Sequence, residues 1–435
     1  MKTKILLLGA GYTTVWAYRH LLKNCNKSVR ENISIEIISV SAEHAFHGFT
    51  GEFLSGLLPL KLRYTSHQTL FPEAHFIQGF VQKVNQIEQK VYYFDSKTQS
   101  NQVATYDHLV IGMGARDETK SILGTKEHTF SVKDSIGLEN IRQRIIQILN
   151  TAKTIHDLHF VVCGGGFAGV ELCANLCEYL ELLKTHYPIL QEKNYQVHLI
   201  QSNETILPQL LPNFKNLIAY CECELKNYNV KIHLNSRVKA FKEAGVLLEN
   251  GVFIESHLVI STIGQVVCAP DSTIPFQKDA QKRIKGDINL KAIGFENIWV
   301  GGDVANIPHI SGNGSCRADA LWAIKHGTWI GQNIARTLQQ QSLKKFTFYG
   351  LGQTASLGMN KAFSELYGIC LTGRFAWWVR FFFFLYFMPS RANAWQTFKY
   401  LWRGKRQLFP EKKQNSVIKI NALDLKLSKS YSELL

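Results

Sequence analysis

Short apolar runs alternate with stretches of helical periodicity along the first half of the chain, which is the pattern of βαβ units. The first unit is predicted as a strand, a helix and a second strand, at residues 4–8, 12–22 and 33–40. The second unit repeats that order at residues 158–163, 167–183 and 196–200. Two mononucleotide-binding units of this kind predict a protein that binds two dinucleotides.

The segments around these units predict one domain inserted into another. Residues 106–114 form a further buried strand that ends in glycines, and the polar stretch 115–120 suits a crossing between domains. A second crossing is expected near 282–286, before a strand ending in a carboxylate at 297–303 and a long helix over 318–338. We therefore predict an interrupted first domain, an inserted domain and a C-terminal region, with boundaries at 1–117 plus 285–338, 118–284 and 339–435.

The C-terminal region differs in character because aromatic and aliphatic side chains run from Phe375 to Met388, interrupted by Arg380 and stopped by Pro389. The run is too short to span a bilayer, which needs roughly 20 residues. Its flanks carry basic and tryptophan residues, namely Arg374, Arg391, Lys399, Arg403, Lys405, Arg406, Trp395 and Trp402. That combination predicts an amphipathic membrane-anchoring helix lying in the headgroup layer. A helix buried in the protein core is the alternative.

The composition is that of a folded protein that favours negatively charged partners. Of 435 residues, 46% are hydrophobic and 19% are charged, which is too little charge for extended disorder. Lysine and arginine number 49 against 34 acids, so nucleic acid, anionic lipid or a phosphate-bearing ligand would each match the surface charge. We expect an anionic membrane surface as partner and no nucleic acid. The nine cysteines lack the spacing of a disulfide framework or a zinc site, so we expect reduced thiols and no metal.

The second unit carries a glycine-rich turn between its first strand and its helix. Gly164, Gly166 and Gly169 give the spacing G-x-G-x-x-G, with Phe167 inside the motif and Glu171 just after it. The first glycine permits a tight turn, the second lets the backbone approach a pyrophosphate, and the third allows the helix to pack closely on the strand. We predict a pyridine-dinucleotide site at this turn.

The residue that ends the second strand of such a unit usually binds the adenosine ribose through a carboxylate, and here it is Gln201. A neutral amide binds ribose hydroxyls but does not repel a 2′-phosphate, so NADPH is less firmly excluded than usual. No arginine follows to bind that phosphate, and we therefore expect NADH.

The first unit has a weaker version of the same turn. Gly9 and Gly11 are followed by Tyr12, Thr13 and Thr14, so that a threonine stands where the third glycine usually lies. Its side chain must either widen the spacing between helix and strand or lie against an accommodating neighbour. On these residues alone, a nucleotide site and a plain α/β turn are about equally supported.

Two further positions bear on the first unit. Ser39 ends its second strand in place of the usual ribose-binding carboxylate, and Glu43 is the nearest acid. Asp303 ends a later strand after two glycines, where its carboxylate can accept hydrogen bonds from a ribose or ribitol chain. A helix cap or a turn is the alternative role for Asp303.

The order of these motifs resembles the two-dinucleotide flavoprotein disulfide-reductase superfamily over about residues 1–338. The motifs are Gly9/Gly11, Tyr106 to Gly114, Gly164 to Glu171, Ser261 to Gly264 and Gly301 to Asp303. The C-terminal region resembles type II NADH:quinone oxidoreductases at Gly352 to Gly358, at Gly373 to Trp377 and at Trp402. The implied fold is α/β, with two Rossmann-like dinucleotide-binding domains, the FAD domain interrupted by an inserted NAD(P)H domain, and a C-terminal membrane-associating region.

The resemblance also implies which residues bind the cofactors. It implies FAD on Gly9, Gly11 and Asp303, and NADH on Gly164, Gly166, Gly169 and Glu171, with Glu171 near the nicotinamide face of the flavin. We predict that further cofactor contacts involve Tyr12, Thr13, Thr14, Ser39, Gly114, Phe167, Gln201 and Gly264. The family's Ala-Gln pair facing the quinone corresponds here to Ala320 and Leu321. Because the glutamine is missing, the identity of the electron acceptor is left open.

Three residues are candidates for catalysis. Glu171 is predicted to relay a proton or to bind the nicotinamide ribose, although an acid in the first turn of a helix also suits the helix dipole. Lys325 and Lys361 are predicted to stabilise charge on a quinone oxygen, with solvent-exposed lysines as the alternative.

We therefore expect an FAD-dependent oxidoreductase that passes electrons from NADH to a membrane quinone without pumping protons. The simplest location is the cytoplasmic face of a bacterial membrane, and a homodimer is left open. Residues 39–80 contain no cysteine, so a reactive dithiol is not expected there. The alternatives are a sulfide:quinone-type reductase using Cys163, Cys316 and Cys370, reduction of another acceptor, and a flavin-bearing membrane redox sensor.

Overall fold

The computed structural model describes residues 2–133, 136–193, 195–312, 314–403 and 406. The part before residue 118 begins with the predicted βαβ unit and continues into a set of antiparallel strands. Its elements are β1 (Thr3–Leu8), α1 (Tyr12–Asn24), α2 (Lys27–Glu31), β2 (Ile33–Ser39), β3 (Glu43–Ala45), α3 (Thr50–Leu54), β4 (Tyr64–Ser66), α4 (His67–Leu70), β5 (His75–Asn85), β6 (Lys90–Asp95), β7 (Ser100–Thr105), β8 (His108–Ile111) and β9 (Ala115–Asp117).

The inserted domain repeats the βαβ order. Its elements are α5 (Thr125–His128), α6 (Gly137–Thr151), β10 (His159–Cys163), α7 (Phe167–Leu183), β11 (Gln196–Ile200), α8 (Lys215–Asn227), β12 (Lys231–His233), β13 (Val238–Lys242), β14 (Gly245–Leu248), β15 (Phe253–Glu255), β16 (Leu258–Ser261) and β17 (Gln265–Val267). The predicted helix 167–183 and strand 196–200 have the bounds that the structure gives them. Their ends are marked by neighbouring residues, because glycines precede the helix and polar residues follow it.

The chain then returns to the first domain and ends in a helical region. The elements are β18 (Asp271–Ser272), β19 (Ile284–Lys285), β20 (Ile298–Val300), β21 (Ala305–Asn306), α9 (Ala320–Leu338), β22 (Gly352–Ser356), β23 (Ala362–Leu366), β24 (Ile369–Thr372), α10 (Gly373–Phe387) and α11 (Arg391–Arg403). A short 3₁₀ helix at Gly302–Val304 follows β20.

Two parallel sheets position the two glycine turns. The first sheet has the order β20-β8-β1-β2-β5-β6-β7, in which β5 to β7 form an antiparallel meander. The sheet of the inserted domain has the order β12-β11-β10-β16, and its pairs are parallel. The turns follow β1 and β10, so both lie at the carboxyl edge of a parallel sheet, where α/β proteins bind nucleotides. The fold is therefore α/β with two Rossmann-like domains, as expected.

Two paired strands carry the chain between the domains. β9 leaves the first domain and β17 returns to it, with Ala115 opposite Val267 and Asp117 opposite Gln265. Directly afterwards β18 pairs with β5, and Phe276 lies in the core of the first domain. The return crossing therefore lies at β17, which corrects the expectation of 282–286, because the residues after β17 already bind the first sheet. The other domain boundaries stay predictions.

The C-terminal region packs onto the inserted domain through one face of α10. Ala376 and Phe381 lie in the same hydrophobic core as α7. The opposite side of the helix leaves Phe375, Phe382 and Tyr386 between 53% and 66% exposed. One face of α10 is therefore that of a core helix, while membrane anchoring by the exposed face stays a prediction.

The second helix of this region, α11, exposes Trp395 and Trp402. Lys405, which we named among the basic flanks, lies outside the described residues. Among the helices that the structure describes, none combines the length and apolar character needed to cross a membrane.

Candidate functional site

The glycine turn of the inserted domain has the geometry that a pyrophosphate requires. Gly164 has φ +106°, and an added Cβ would lie 2.4 Å from the hydroxyl oxygen of Thr262. A Cβ at Gly169 would lie 1.8 Å from the carbonyl oxygen of Gly164, so α7 can approach the turn only with glycine there. An added Cβ at Gly166 would meet only Gln209 Nε2, at 3.7 Å, and Gly166 begins α7 without a side-chain cap. The first N–H groups of α7 are therefore available to an anion.

Gln201 lies beside this turn, but both ends of its side chain bind the protein. Its Oε1 accepts a hydrogen bond from the Gly165 N–H at 3.0 Å, and its Nε2 donates to the Thr205 carbonyl oxygen at 3.2 Å. The side chain is buried. The ribose contact that we expected of Gln201 stays a prediction, and in the described conformation the amide instead fixes the turn.

In the first glycine turn, the room that a third glycine would provide comes from a glycine elsewhere in the chain. Gly9 has φ +84°, and an added Cβ would lie 2.8 Å from the Gly112 carbonyl oxygen. Thr14 is fully buried and donates a hydrogen bond to the Gly11 carbonyl oxygen. A Cβ on Gly112 would lie 2.9 Å from Cγ2 of Thr14. The accommodating neighbour of Thr14 is therefore Gly112, which follows β8.

Two neighbours of Thr14 complete this turn. Thr13 is buried against the Gly301-Gly302 pair, whose added Cβ atoms would come within 3.1 Å of its side chain. The Tyr12 hydroxyl accepts a hydrogen bond from the His47 N–H at 2.9 Å, and burial raises the Tyr12 pKa. Gly11 begins α1 without a side-chain cap. This turn, like the second, leaves helix N–H groups for an anion.

The remaining predicted contacts lie at strand ends around the two turns. Ser39 ends β2, next to β1. Gly114 and Gly264 have φ values of +68° and +73° and stand directly before the crossing strands β9 and β17. Both glycines therefore lie where the two domains meet.

Asp303 lies in the short 3₁₀ helix after β20 and is not a helix cap. No side chain caps that helix, and the Asp303 carboxylate is 3.9 Å from the Lys133 ammonium. Burial raises the Asp303 pKa, while the charges of Lys133 and Arg283 act in the opposite direction. A partly buried carboxylate without a close hydrogen-bond donor among the described residues suits the hydroxyls of a ribose or ribitol.

Glu171 belongs to a buried ionic network that joins three parts of the chain. Its Oε1 accepts hydrogen bonds from the Ser356 N–H at 2.7 Å and from Arg380 Nη2 at 2.9 Å. The same guanidinium binds Glu52 Oε1 at 2.5 Å and the Gly48 carbonyl oxygen at 2.9 Å. Burial raises the Glu171 pKa, whereas Arg380 and the Ser356 N–H lower it. The network ties α10 to the start of α7 and to α3.

Sequence reasoning missed this network, although one signal was present. Arg380 is a single charge inside an aromatic run, and it is only 1% exposed. A buried arginine needs a carboxylate partner. The sequence could have predicted such a partner, but not that two would come from Glu52 and Glu171, which are 328 and 209 residues away.

The two candidate lysines lie apart, and neither is a free surface side chain. Lys361 forms a 2.8 Å ion pair with Glu224 and lies over the ring of Tyr228, against α8. Lys325 lies between the rings of Phe348 and Phe387, where burial lowers its pKa. Each lysine therefore has partners within the protein, although the Lys361 side chain is 38% exposed, and the action of either lysine on a quinone stays a prediction.

The three cysteines of the sulfide alternative lie in separate segments of the chain, two on strands and Cys316 outside any helix or strand. Cys163 is buried in β10 and Cys316 is buried beside the Pro308 carbonyl oxygen, and burial raises the pKa of both thiols. Cys370 lies on β24 near Asn216. Because thiolates rather than thiols are the nucleophiles, these surroundings give the sulfide alternative no support.

A two-dinucleotide oxidoreductase fold is defined by the two glycine turns, by the paired strands β9 and β17, and by the Asp303 carboxylate. The comparison with protein families agrees with this assignment. Residues 3–319 match the pyridine nucleotide-disulphide oxidoreductase family, and the chain belongs to that family.

Among curated proteins, the chain is similar to the type II NADH:quinone oxidoreductase of Staphylococcus aureus (strain bovine RF122 / ET3-1). The two are 24% identical over 388 residues, covering 86% of this chain and 92% of the relative. A probable NADH dehydrogenase of Dictyostelium discoideum is 26% identical, over 82% and 79% of the two chains.

Among solved structures, NDH2 from Plasmodium falciparum in complex with NADH matches with a TM-score of 0.83 at 19% identity, covering 94% of this chain and all of that one. The sulfide:quinone oxidoreductase of Aquifex aeolicus matches with a TM-score of 0.70 at 16% identity, over 90% and 92% of the two chains. The fold is therefore shared across the C-terminal region as well.

Proposed function

We propose that this protein is an FAD-dependent NADH:quinone oxidoreductase that works at a membrane surface without pumping protons. The observation that carries the proposal is the Glu52–Arg380–Glu171 network. It fixes an α-helix with an exposed aromatic face against the N-terminal half of the dinucleotide-binding helix α7, at Glu171. An apolar acceptor carried in a membrane would then meet the protein beside the site of NADH oxidation. The relatives named above support the same activity.

The residues of the first unit fit FAD. Gly9 permits the tight turn through its positive φ, Gly11 leaves space beside the free N–H groups of α1 for a pyrophosphate, and Asp303 offers a carboxylate to the ribityl chain. In the second turn Gly164 likewise permits the tight turn, and Gly166 leaves room for the pyrophosphate of NADH beside the N–H groups of α7. Bound FAD would supply the acceptance of hydride from NADH and the donation of electrons to quinone.

The chain itself contributes position, charge and a proton. Arg380 offsets the cost of burying the Glu171 carboxylate, so that this group can exchange a proton at the start of α7 without leaving the site. Of the two lysines, Lys325 is better placed to stabilise charge on a quinone oxygen. Its ammonium lies among aromatic rings that include Phe387 of α10, whereas Glu224 neutralises Lys361.

The same helix suggests where the protein resides. Exposed aromatic side chains on α10 and α11 lie beside the basic residues Arg374, Arg391 and Lys399, an arrangement that suits an anionic headgroup layer. We infer peripheral binding to the cytoplasmic face of a bacterial membrane. The proposal requires only one chain, and a homodimer would be compatible with it.

Anaerobic mixing with a reduced nicotinamide cofactor tests the redox function. NADH should bleach the flavin absorbance of purified protein, and a short-chain quinone added afterwards should restore it. No bleaching would reject the dehydrogenase, and bleaching without restoration would point to another acceptor or to a redox sensor. Repeating the first step with NADPH measures the preference between the two cofactors. This comparison is needed because Gln201 is neutral and does not repel the 2′-phosphate of NADPH.

A further inference from the structure

Basic side chains cluster where α1, α9 and the turn between α10 and α11 meet. Arg19 and Lys23 lie on the last turns of α1, Lys325 on α9 and Arg391 at the start of α11. Among the described residues, none of these four has a carboxylate as an ion-pair partner. Positive charge is therefore gathered here without internal compensation.

The charges in this cluster are close enough to affect each other. Burial lowers the pKa of Arg19, and the nearby charge of Arg391 lowers it further. His20 lies among them, and after burial the charges of Lys23, Lys325 and Arg19 also lower its pKa. Positive charges held close together repel each other. A bound anion would offset that repulsion, so its binding here is favourable.

Two of these side chains are held in place by the protein. Arg19 donates a hydrogen bond from Nη2 to the Pro389 carbonyl oxygen at 2.5 Å, and its guanidinium lies over the ring of Trp16. Arg391 donates from Nη1 to the Tyr386 carbonyl oxygen at 3.1 Å and lies over the Tyr386 ring. A guanidinium fixed in this way loses less side-chain entropy when it binds a phosphate.

A shallow apolar cavity, largely open to solvent, lies beside the same cluster. It lies between α10 and α11, has a volume of about 320 Å³, and is lined by Leu385, Arg391, Ala394, Trp395 and Phe398. Arg391 thus belongs both to the lining of the cavity and to the basic cluster. A ligand with a negative head and an apolar chain would satisfy both features at once.

We propose that the basic cluster and the α10–α11 cavity form a binding site for one anionic phospholipid. Arg19, Lys23 and Arg391 would bind the headgroup phosphate, and the cavity would take part of an acyl chain. The isoprenoid tail of a quinone would also suit the cavity, but it has no charge for the arginines. The inference rests on the membrane part of the proposed function.

Vesicle flotation tests the proposal. The holoenzyme is mixed with vesicles of phosphatidylcholine alone or with added phosphatidylglycerol, at physiological ionic strength. Wild type should prefer the anionic vesicles, and Arg19→Gln/Arg391→Gln should weaken that binding about thirtyfold, since each basic residue near the surface contributes about fivefold. Reduction of a soluble acceptor by NADH should be unchanged in this variant.

Matched variants separate a site from net charge. Lys239→Gln/Lys242→Gln removes the same charge from exposed positions on β13 and should bind anionic vesicles like wild type. Arg19→Lys/Arg391→Lys should retain most of the preference. If the β13 control loses as much binding as the arginine variant, net charge explains the effect and the proposal fails.

Three further outcomes would overturn the proposal in distinguishable ways. Equal binding of wild type to both kinds of vesicle would reject the headgroup site and leave membrane docking intact. Binding to neither would reject the membrane part of the proposed function. Release from anionic vesicles by inorganic phosphate at the concentration of the lipid phosphate would replace the lipid by a free phosphate ligand.

Discussion

Gly112 and Thr14 show how one residue can supply what another position lacks. The third glycine of the first turn is replaced by Thr14, and the room for its methyl group comes from the missing Cβ of Gly112. Thr13 is nearly as close to Gly112, with 3.1 Å between its Cβ and an added Cβ. Two buried threonines of α1 therefore rest on one glycine after β8.

We expect Gly112→Ala to destabilise the protein by about 1–3 kcal/mol, because the new methyl group overpacks a buried contact. Flavin content should fall as well, since α1 carries the pyrophosphate-binding N–H groups. Denaturant unfolding and the ratio of flavin to protein absorbance measure the two effects.

A double-mutant cycle locates the cause. Thr14→Ser/Gly112→Ala should recover part of the loss, because serine lacks the methyl group that the alanine would meet. If the two changes are additive, the contact between Thr14 and Gly112 is not what limits the spacing of α1.

Arg380 is the residue on which two buried carboxylates depend. We expect Arg380→Leu to lower the free energy of unfolding by about 3–5 kcal/mol, because Glu52 and Glu171 would be left buried without a positive charge to pair with. Arg374→Leu, on an exposed position of the same helix, should change it by about 0.5 kcal/mol or less. Equal effects of the two substitutions on the denaturation midpoint would mean that the network does not stabilise the fold.

At the scale of elements, α10 has a buried face and an exposed aromatic face, and we predict that only the exposed face binds a membrane. We expect Phe375→Ser/Phe382→Ser/Tyr386→Ser to weaken membrane binding by about 3 kcal/mol, or roughly a hundredfold, if each partly inserted ring contributes about 1 kcal/mol. Stability and the oxidation of NADH by a soluble acceptor should change little, because these side chains are exposed. Flotation with vesicles measures the first effect and thermal unfolding the second.

An exposed apolar side chain far from α10 serves as the control. Ile87, 72% exposed on the turn between β5 and β6, should tolerate Ile87→Ser without loss of vesicle binding. If the α10 variant binds vesicles as wild type does, its aromatic face is not a membrane-binding surface.

The elements that could be predicted are those whose signals are local. The helix at 167–183 and the strand at 196–200 follow from periodicity, glycines and branched side chains within each segment. The return crossing could not be placed, because β17 is three residues long and is defined by its pairing with β9 across the chain. The orientation of Gln201 was also beyond the sequence, since it depends on the Gly165 N–H.

At the scale of the whole molecule, the C-terminal region completes the core as well as offering a surface. Its sequence indicated an anchor that could be separated from the catalytic domains, because an aromatic run flanked by basic residues is typical of an interface. The buried face became visible only through long-range contacts, such as Phe363 with Phe167 and Arg380 with Glu171. The structure therefore predicts that anchor and enzyme cannot be divided at residue 372.

A chain ending at Leu371, which lacks α10 and α11, tests this dependence. It would lose Trp377 and Phe381 from the core of the inserted domain and leave Glu52 and Glu171 without Arg380. Removing two buried aromatic side chains costs about 6–10 kcal/mol, which is comparable with the total stability of about 5–15 kcal/mol of most proteins. We expect the shortened chain to be insoluble or free of flavin, whereas the α10 surface variant stays soluble and flavin-bound. A soluble, flavin-containing shortened chain that oxidises NADH would show that the region is only an anchor.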